Sequence, residues 1–317
     1  MRVPNLTARP RRRTLARRED LTGRALVSPT LLVVVLVVLT PFVMSLLYAF
    51  QDVRLIDIGP LGDGETRWTL DNFRAVLSSS GFWAAMRTTV LFAVVTTAGS
   101  VAAGLAIALA LRKPFPGRGL VRALVLIPYV LPVVAAVMIW EQLLNSQYGF
   151  VNAFGERFLG WDEPVSFLST TSMDVAGLPL PVTLLVVIAF EIWKTAPLAY
   201  LFITARLQAV PGDLEEAALI DGAAPSQSFR HVLLPQLAGV LALLAVLRFI
   251  WSFQSFNEIY LLTGGAGGTQ VLAVRVYEEL TTQGDIGAAS ALGLVMMAIL
   301  TVLLIIYVRM SRREVAR

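Results

Sequence analysis

The chain has 317 residues, 56% of them hydrophobic and only 15% charged, with a formal net charge of +4. Soluble domains carry about a quarter of their residues as charges, so this is the composition of an integral membrane protein. There is no cysteine and one histidine, His231; disulfides, thiolate metal sites and cysteine nucleophiles are excluded, and no histidine-based metal centre can be built. The basic excess suits a membrane protein that sorts Lys and Arg to its cytoplasmic side, and no nucleic-acid partner is expected.

A bilayer core takes about 20 apolar residues of helix. In chain order, six windows qualify: 27–50, 88–111, 122–144, 180–203, 233–256 and 286–308. The first is too long for a signal peptide, and Ser45-Leu46-Leu47-Tyr48 offers no small-residue cleavage site; it reads as a retained span. Pro41, Pro128, Pro132 and Pro197 fall inside spans and should kink them, which membrane helices tolerate when neighbours re-satisfy the backbone. The fold class is therefore all-α: a polytopic membrane protein with six transmembrane helices.

Arginine sets the orientation. Arg2, Arg9, Arg11, Arg12, Arg13, Arg17, Arg18 and Arg24 precede the first span, Arg112, Lys113 and Arg118 join the second to the third, and Arg309, Arg312, Arg313 and Arg317 end the chain. All fall on one side of a six-span arrangement, which places both termini in the cytoplasm. The expected organisation is a basic cytoplasmic tail at 1–26 lying on anionic lipid, a six-helix domain at 27–310 and a cytoplasmic end at 311–317.

The connection at 206–236 lies on the same side but is not basic: Arg206 and Arg230 stand against Asp213, Glu215, Glu216 and Asp221. A loop resting on anionic lipid would be basic; this one suits docking on a protein. Pro211-Gly212 signals a turn. Asp213 is placed to cap a helix, with Glu216 closing a capping box. Ala217-Ala218 gives a smooth face, and Asp221-Gly222 ends the helix, glycine accepting the left-handed position. Pro225 suits the first turn of a second short helix, which carries Phe229 and leads to Leu234-Pro235, where the fifth span begins.

Glu216-Ala217-Ala218, Gly222, Val232 and Leu234-Pro235, at their spacing, resemble the EAA loop of ABC-importer permeases. Val232 replaces the usual Ile, and Gly239 stands where a proline is common. The resemblance continues through Trp68 to Phe73, Gly81-Phe82-Trp83, Ile127-Pro128, Ile139-Trp140, Gly149 to Asn152, Ile192-Trp193-Lys194, Asn257 to Gly265 and Gly287 to Leu292. These segments are similar to the carbohydrate branch, the maltose-, glycerol-3-phosphate- and trehalose-type permeases. The resemblance implies a type I importer transmembrane domain in a bacterial cell (inner) membrane. It implies a second homologous permease, two ABC ATPase subunits and an extracellular or periplasmic sugar-binding protein as partners. It also implies that Glu216, Ala217, Ala218, Asp221, Gly222, Phe229, Leu234 and Pro235 form the coupling element seated on the ATPase.

No G-x-x-x-x-G-K-[ST] phosphate loop occurs in the chain, so ATP and Mg belong to the partner ATPases and this chain binds no cofactor or metal of its own. Gly264 to Thr269 is glycine-rich but lacks the lysine and reads as a flexible outer loop. An intramembrane protease is disfavoured because Ser290 has no membrane histidine to activate it. The rival class is an ion-coupled secondary transporter of a small polar solute, because charges occur inside spans. Glu191 and Lys194 share a face of the fourth span, able to pair within the helix, and Arg248 lies at similar depth in the fifth. They read equally as a polar gate or as inter-helix glue. Trp251, Gln254 and Glu258 recur at helical spacing, with Asn257 and Tyr260 close by. They read as a weak sugar site or as interfacial aromatics and their neighbours.

Overall fold

The computed structural model describes residues 26–58, 67–175 and 178–315. The arginine-rich tail at 1–25 and Arg317 lie outside them. The helices are α1 (Leu26–Tyr48), α2 (Asp71–Ser78), α3 (Ser80–Ala110), α4 (Arg118–Val130), α5 (Val133–Leu144), α6 (Phe150–Phe158), α7 (Val182–Gln208), α8 (Asp213–Ile220), α9 (Pro225–Phe253), α10 (Asn257–Thr263), α11 (Leu272–Thr281) and α12 (Ile286–Val315). Two antiparallel hairpins sit between helices: β1 (Gln51–Asp52) with β2 (Arg67–Trp68), and β3 (Met173–Val175) with β4 (Leu178–Leu180).

Helices α1, α3, α7, α9 and α12 are each long and apolar enough to cross a membrane, and α4 and α5, bent by 101° at the break between them, pass the same test only as a pair. The expected window at 122–144 is thus two short helices meeting at a sharp bend. Pro132 drives Leu131 into an extended conformation (φ −61°, ψ 134°), as the residue before a proline prefers. Lys194 of α7 donates to the Leu131 carbonyl at 3.4 Å, placing a cation at the C-terminus of α4.

Two other prolines act through wide turns. The π-helical segments Val34–Leu39 and Phe229–Leu233 each stop one residue short of a proline, Pro41 and Pro235. A proline ring collides with the carbonyl four residues back, and the π turn moves that carbonyl aside. Thr40 N–H then reaches Val35 O, and Leu234 N–H reaches Phe229 O. As a result the expected short second helix of the 206–236 connection and the fifth span are one 29-residue helix.

The core is organised around α7. Its closest partner is α3, and it also packs against α4, α9 and α10. The face that α3 buries is made mostly of small residues: Ala85, Thr89, Ala93, Thr96, Thr97, Ser100, Gly104 and Ala108. Small residues let backbones approach where lipid gives no hydrophobic drive to association. Most hydroxyls on this face return to their own helix, Thr89 Oγ1 to Ala85 O at 2.7 Å and Thr96 Oγ1 to Phe92 O at 2.7 Å, while Thr97 Oγ1 meets no partner in the described chain. The larger side chains form three clusters, one of them joining Phe82 of α3 to Phe253, Leu272 and Leu292, and the other two lying along α7. One, on the side of the 206–236 connection, joins Ile203 and Leu207 of α7 to Leu237 and Leu244 of α9. The other, on the far side, joins Val187 and Phe190 to Phe92, Ile259 and Val271. By contrast α1 buries none of its apolar stretch; only its Thr40–Tyr48 half runs beside α12.

The glycine-rich segment after α10 departs from expectation. Gly264, Gly265, Gly267 and Gly268 have φ of 60°, 84°, 62° and 79°. A Cβ on Gly267 would lie 2.7 Å from Thr183 Oγ1. Thr269 is fully buried and bonds Thr263 through their hydroxyls at 2.7 Å. These glycines supply left-handed turns and close packing, not flexibility.

At Gly104 the α3 backbone comes close to the backbone of α7: an added Cβ would lie 2.5 Å from Ala199 Cβ and 2.7 Å from Tyr200 N. Gly104→Ala is expected to cost about 1–3 kcal/mol by overpacking, lowering the melting temperature in detergent. Gly293→Ala, where nothing lies within 4 Å, serves as the control. Equal behaviour of the two variants would contradict the close approach.

Candidate functional site

The 206–236 connection is built from α8, a glycine turn and the first turns of α9. Helix α8 begins after Pro211-Gly212. Asp213 is its first helical residue, and no side chain caps it, so the expected Asp213 capping box does not form. Its place is taken by three acids in the first turn, Asp213, Glu215 and Glu216, which complement the helix dipole. A side-chain cap forms instead at the second helix, where Gln227 Oε1 accepts from Ala224 N at 2.8 Å and Pro225 occupies the first turn. Between them Gly222 adopts φ +75°. Its N–H donates to Leu219 O at 3.1 Å and that of Ala223 to Ala218 O at 2.9 Å, the paired bonds of a Schellman turn.

The expected docking residues divide by exposure. Glu216, Ala217, Asp221, Gly222 and Pro235 are exposed, and Ala218, Phe229 and Leu234 half-buried. Phe229 packs onto the Leu233–Leu237 layer of the core, so it faces the bundle. Sequence reasoning passed over the two most exposed apolar groups of α8, Leu219 and Ile220, 68% and 86% exposed at its end. The signal was readable: Leu-Ile directly before Asp-Gly has no core to enter.

Two ties join this connection to the bundle. Arg112, just past α3, makes a two-pronged ion pair with Glu215, its Nη1 donating to Oε2 at 2.7 Å and its Nη2 to Oε1. Such paired bonds fix orientation as well as distance. Arg118 Nε and Nη2 donate to the Leu111 and Arg112 carbonyls, each at 2.7 Å, fastening the end of α3 that carries Arg112. Arg206, in the last turn of α7, donates to Gln236 O at 3.0 Å. Both chain ends of the connection are thereby held together. In the sequence Arg112 counts only as a cytoplasmic cation and Glu215 only as one of the acids of the connection, because their separation of 103 residues hides the pairing.

Inside the bundle, Glu191 pairs with Arg248, not with Lys194. Arg248 Nη2 donates to Glu191 Oε1 at 2.7 Å and to Ser252 Oγ at 3.2 Å, and both charged side chains are buried. Lys194 turns away to the break in the third span. Glu191 Oε2 and Arg248 Nε meet no partner in the described chain. The proposed polar stripe is also divided. Helix α9 ends at Phe253, and Gln254–Phe256 break it before α10. Trp251 therefore belongs to α9 and Gln254 to the break that follows it, while Asn257, Glu258 and Tyr260 belong to α10. Glu258 accepts from Ser255 Oγ at 3.1 Å. Tyr260 stacks on Phe256, with centroids 5.0 Å apart, and meets Tyr277 edge-on at 4.8 Å. Among the described residues no group of three His, Cys, Asp or Glu could hold a metal.

Breaking a buried pair from one side leaves an uncompensated charge, at about 3–5 kcal/mol. Arg248→Ala should therefore lower the detergent melting temperature strongly, and Glu191→Gln with Arg248→Met should recover most of the loss. Additive losses in the double variant would show that the two side chains do not act as a pair.

Comparison with known proteins agrees with this geometry. Residues 97–315 match the family described as binding-protein-dependent transport system inner membrane component. The chain is 33% identical to the trehalose/maltose transport system permease protein MalF of Thermococcus litoralis, over 97% of this chain and 98% of that one. It is 35% identical to the inner membrane ABC transporter permease protein YcjO of Escherichia coli, over 73% of this chain and 75% of that one. Its fold is similar to a chain of the bacterial alginate ABC transporter solved with an alginate pentasaccharide-bound periplasmic protein. There the TM-score is 0.78 at 21% identity, covering 94% of this chain and 96% of that one. The ion-coupled carrier weighed from the sequence falls with these matches: the chain belongs to the family of binding-protein-dependent transport system inner membrane components, the permeases of ABC importers.

Proposed function

We propose that the chain forms the sugar pathway of a carbohydrate importer and receives its driving force through the 206–236 connection. The observation that carries this reading is α8: an acidic, exposed helix ending in bare Leu219 and Ile220, joined to the end of α3 by Arg112–Glu215. A helix so placed is a lever, since displacement of α8 pulls on a span. Its partners are two ATPase subunits, one of them seated at α8, a second homologous permease beside it, and a sugar-binding protein on the opposite side. ATP closes the ATPase pair, α8 is pushed, and the spans rock between inward- and outward-facing arrangements. The connection then lies in the cytoplasm with both termini, the tail at 1–26 resting on the anionic leaflet, in a bacterial inner membrane. Glu216, Ala217, Ala218, Asp221, Gly222, Phe229, Leu234 and Pro235 act as the coupling element. The carbohydrate substrate is supported by the relative named for trehalose and maltose. The separation of Trp251 from Asn257, Glu258 and Tyr260 by the Gln254–Phe256 break, with Gln254 in the break itself, supports a pathway that bends around it. In this reading Glu191 and Lys194 hold its wall.

The test is purification of the tagged chain from native membranes with identification of what accompanies it. The expected companions are a P-loop ATPase and a second permease, with the ATPase lost on Glu216→Lys. Gly222→Pro cannot adopt φ +75° and should abolish uptake while the chain still inserts. Normal sugar uptake by both variants at normal expression would overturn the reading.

A further inference from the structure

The far side of the third span carries a second polar feature that the coupling account does not use. Between the end of α5, the turn at Asn145–Tyr148 and the turn at Ser166–Ser169 lies a cavity of about 380 Å³. It is at the small end of ligand-pocket sizes, about 300–1,000 Å³. Its place follows from the chain path. Helix α4 starts beside Arg118 and the 206–236 connection, and α5 packs against α10, beyond the far end of α9.

The walls are fixed from within. Asn152 of α6 is buried, and its Nδ2 donates to Val165 O at 3.0 Å and to Asn145 O at 3.2 Å, while its Oδ1 accepts from Val165 N at 2.8 Å. One side chain thus ties both turns together. Asn145 Oδ1 accepts from Gln147 N at 2.8 Å. Gly149 is required by the same turn, since a Cβ there would lie 2.4 Å from Asn145 O. Ser166 O closes the second turn by accepting from Ser169 N at 3.1 Å.

The lining is left unspent. In the described chain the side chains of Glu141, Gln142, Ser146, Ser166 and Ser169 make no hydrogen bond to the protein, and the Tyr148 ring stands 65% exposed beside them. One carboxylate, one amide and three hydroxyls can accept and donate in every direction, and an exposed aromatic ring covers the C–H face of a pyranose. We infer that this cavity is a carbohydrate subsite, where a sugar unit rests after leaving the binding protein and before entering the membrane. The inference depends on the carbohydrate-importer reading above and adds to it the place of entry.

The experiment uses the complex of this chain with its partner subunits in lipid nanodiscs, photolabelled with diazirine-bearing maltose and trehalose and mapped by mass spectrometry. Label is expected on residues 141–148 and 166–169, reduced by the unlabelled sugars. Gln142→Ala with Tyr148→Ala, both exposed, should cut that label about tenfold, the scale of one or two lost hydrogen bonds. The same pair should raise the KM of uptake while sedimentation with the binding protein stays unchanged. Normal uptake with no label in the cavity overturns the subsite and leaves the importer reading standing. Weakened docking of sugar-free binding protein in the variants also overturns it, making the cavity a protein-docking surface. Absence of uptake of any sugar by the unaltered complex removes the importer reading, and the subsite with it.

Discussion

The contact between α3 and α7 is the one on which the other elements depend. In a bilayer, apolar side chains gain nothing by leaving lipid for protein, so helices associate where backbones can come close. The small face from Ala85 to Ala108 provides that approach, and α7 answers it with its own buried Ala196 and Ala199. One turn further along α7, Ile203 and Leu207 fill the layer on the side of the 206–236 connection. Once α7 is seated, the other helices take their places around it: α4 along one flank, α9 along another, and α10 at the far end. The polar groups of the interior follow the same constraint. Glu191 finds Arg248, Lys194 finds the carbonyl freed at Leu131, and the hydroxyls of Thr89 and Thr96 return to their own helix. These groups are paired within the protein, as spanning structures require, whereas Thr97 Oγ1, Glu191 Oε2 and Arg248 Nε meet no partner in the described chain.

The same packing gives the exposed connection mechanical reach. In the proposed reading, force applied to α8 passes through Glu215 to Arg112, whose own position is held by Arg118, and so to the end of α3. Because α3 and α7 are in close backbone contact, displacement of one carries the other. The Glu191–Arg248 pair then links α7 to α9 at mid-span. The second route, Arg206 to Gln236, ties the start of the connection to its end. A Schellman turn at Gly222 and a π turn ahead of Pro235 keep the intervening chain in a defined shape. An element that must transmit displacement gains from being stiff, and each of these features removes a way for the loop to yield.

Much of this was legible in the residues. Long apolar runs located the spans, Gly222 announced its left-handed turn, and Pro225 its helix start, because each depends on a few adjacent residues. What escaped was decided between distant parts of the chain. Pro128 and Pro132 foretold a kink, but the 101° break also needs Lys194, from another helix, to take the freed carbonyl. Glu191 and Lys194 share a helical face, yet each finds a better partner elsewhere. Asp213 has the chemistry of a cap, but the helix starts at Asp213 itself and Gly212 takes the cap position. The periodic stripe of the fifth span ignored the break at Gln254–Phe256, and the glycines at 264–268 looked loose until the buried Thr269 and the neighbouring Thr183 gave them something to pack against.

The claim that α8 drives the spans through Arg112 and Glu215 is tested most directly by charge reversal. Sugar uptake per ATP hydrolysed would be measured for Arg112→Glu, Glu215→Arg and the two combined, in complexes that retain their ATPase. Each single reversal is expected to lower that ratio about tenfold, the scale of a charge-assisted bond, with the combination restoring most of it. Single variants that couple normally, or a combination no better than either, would contradict the account.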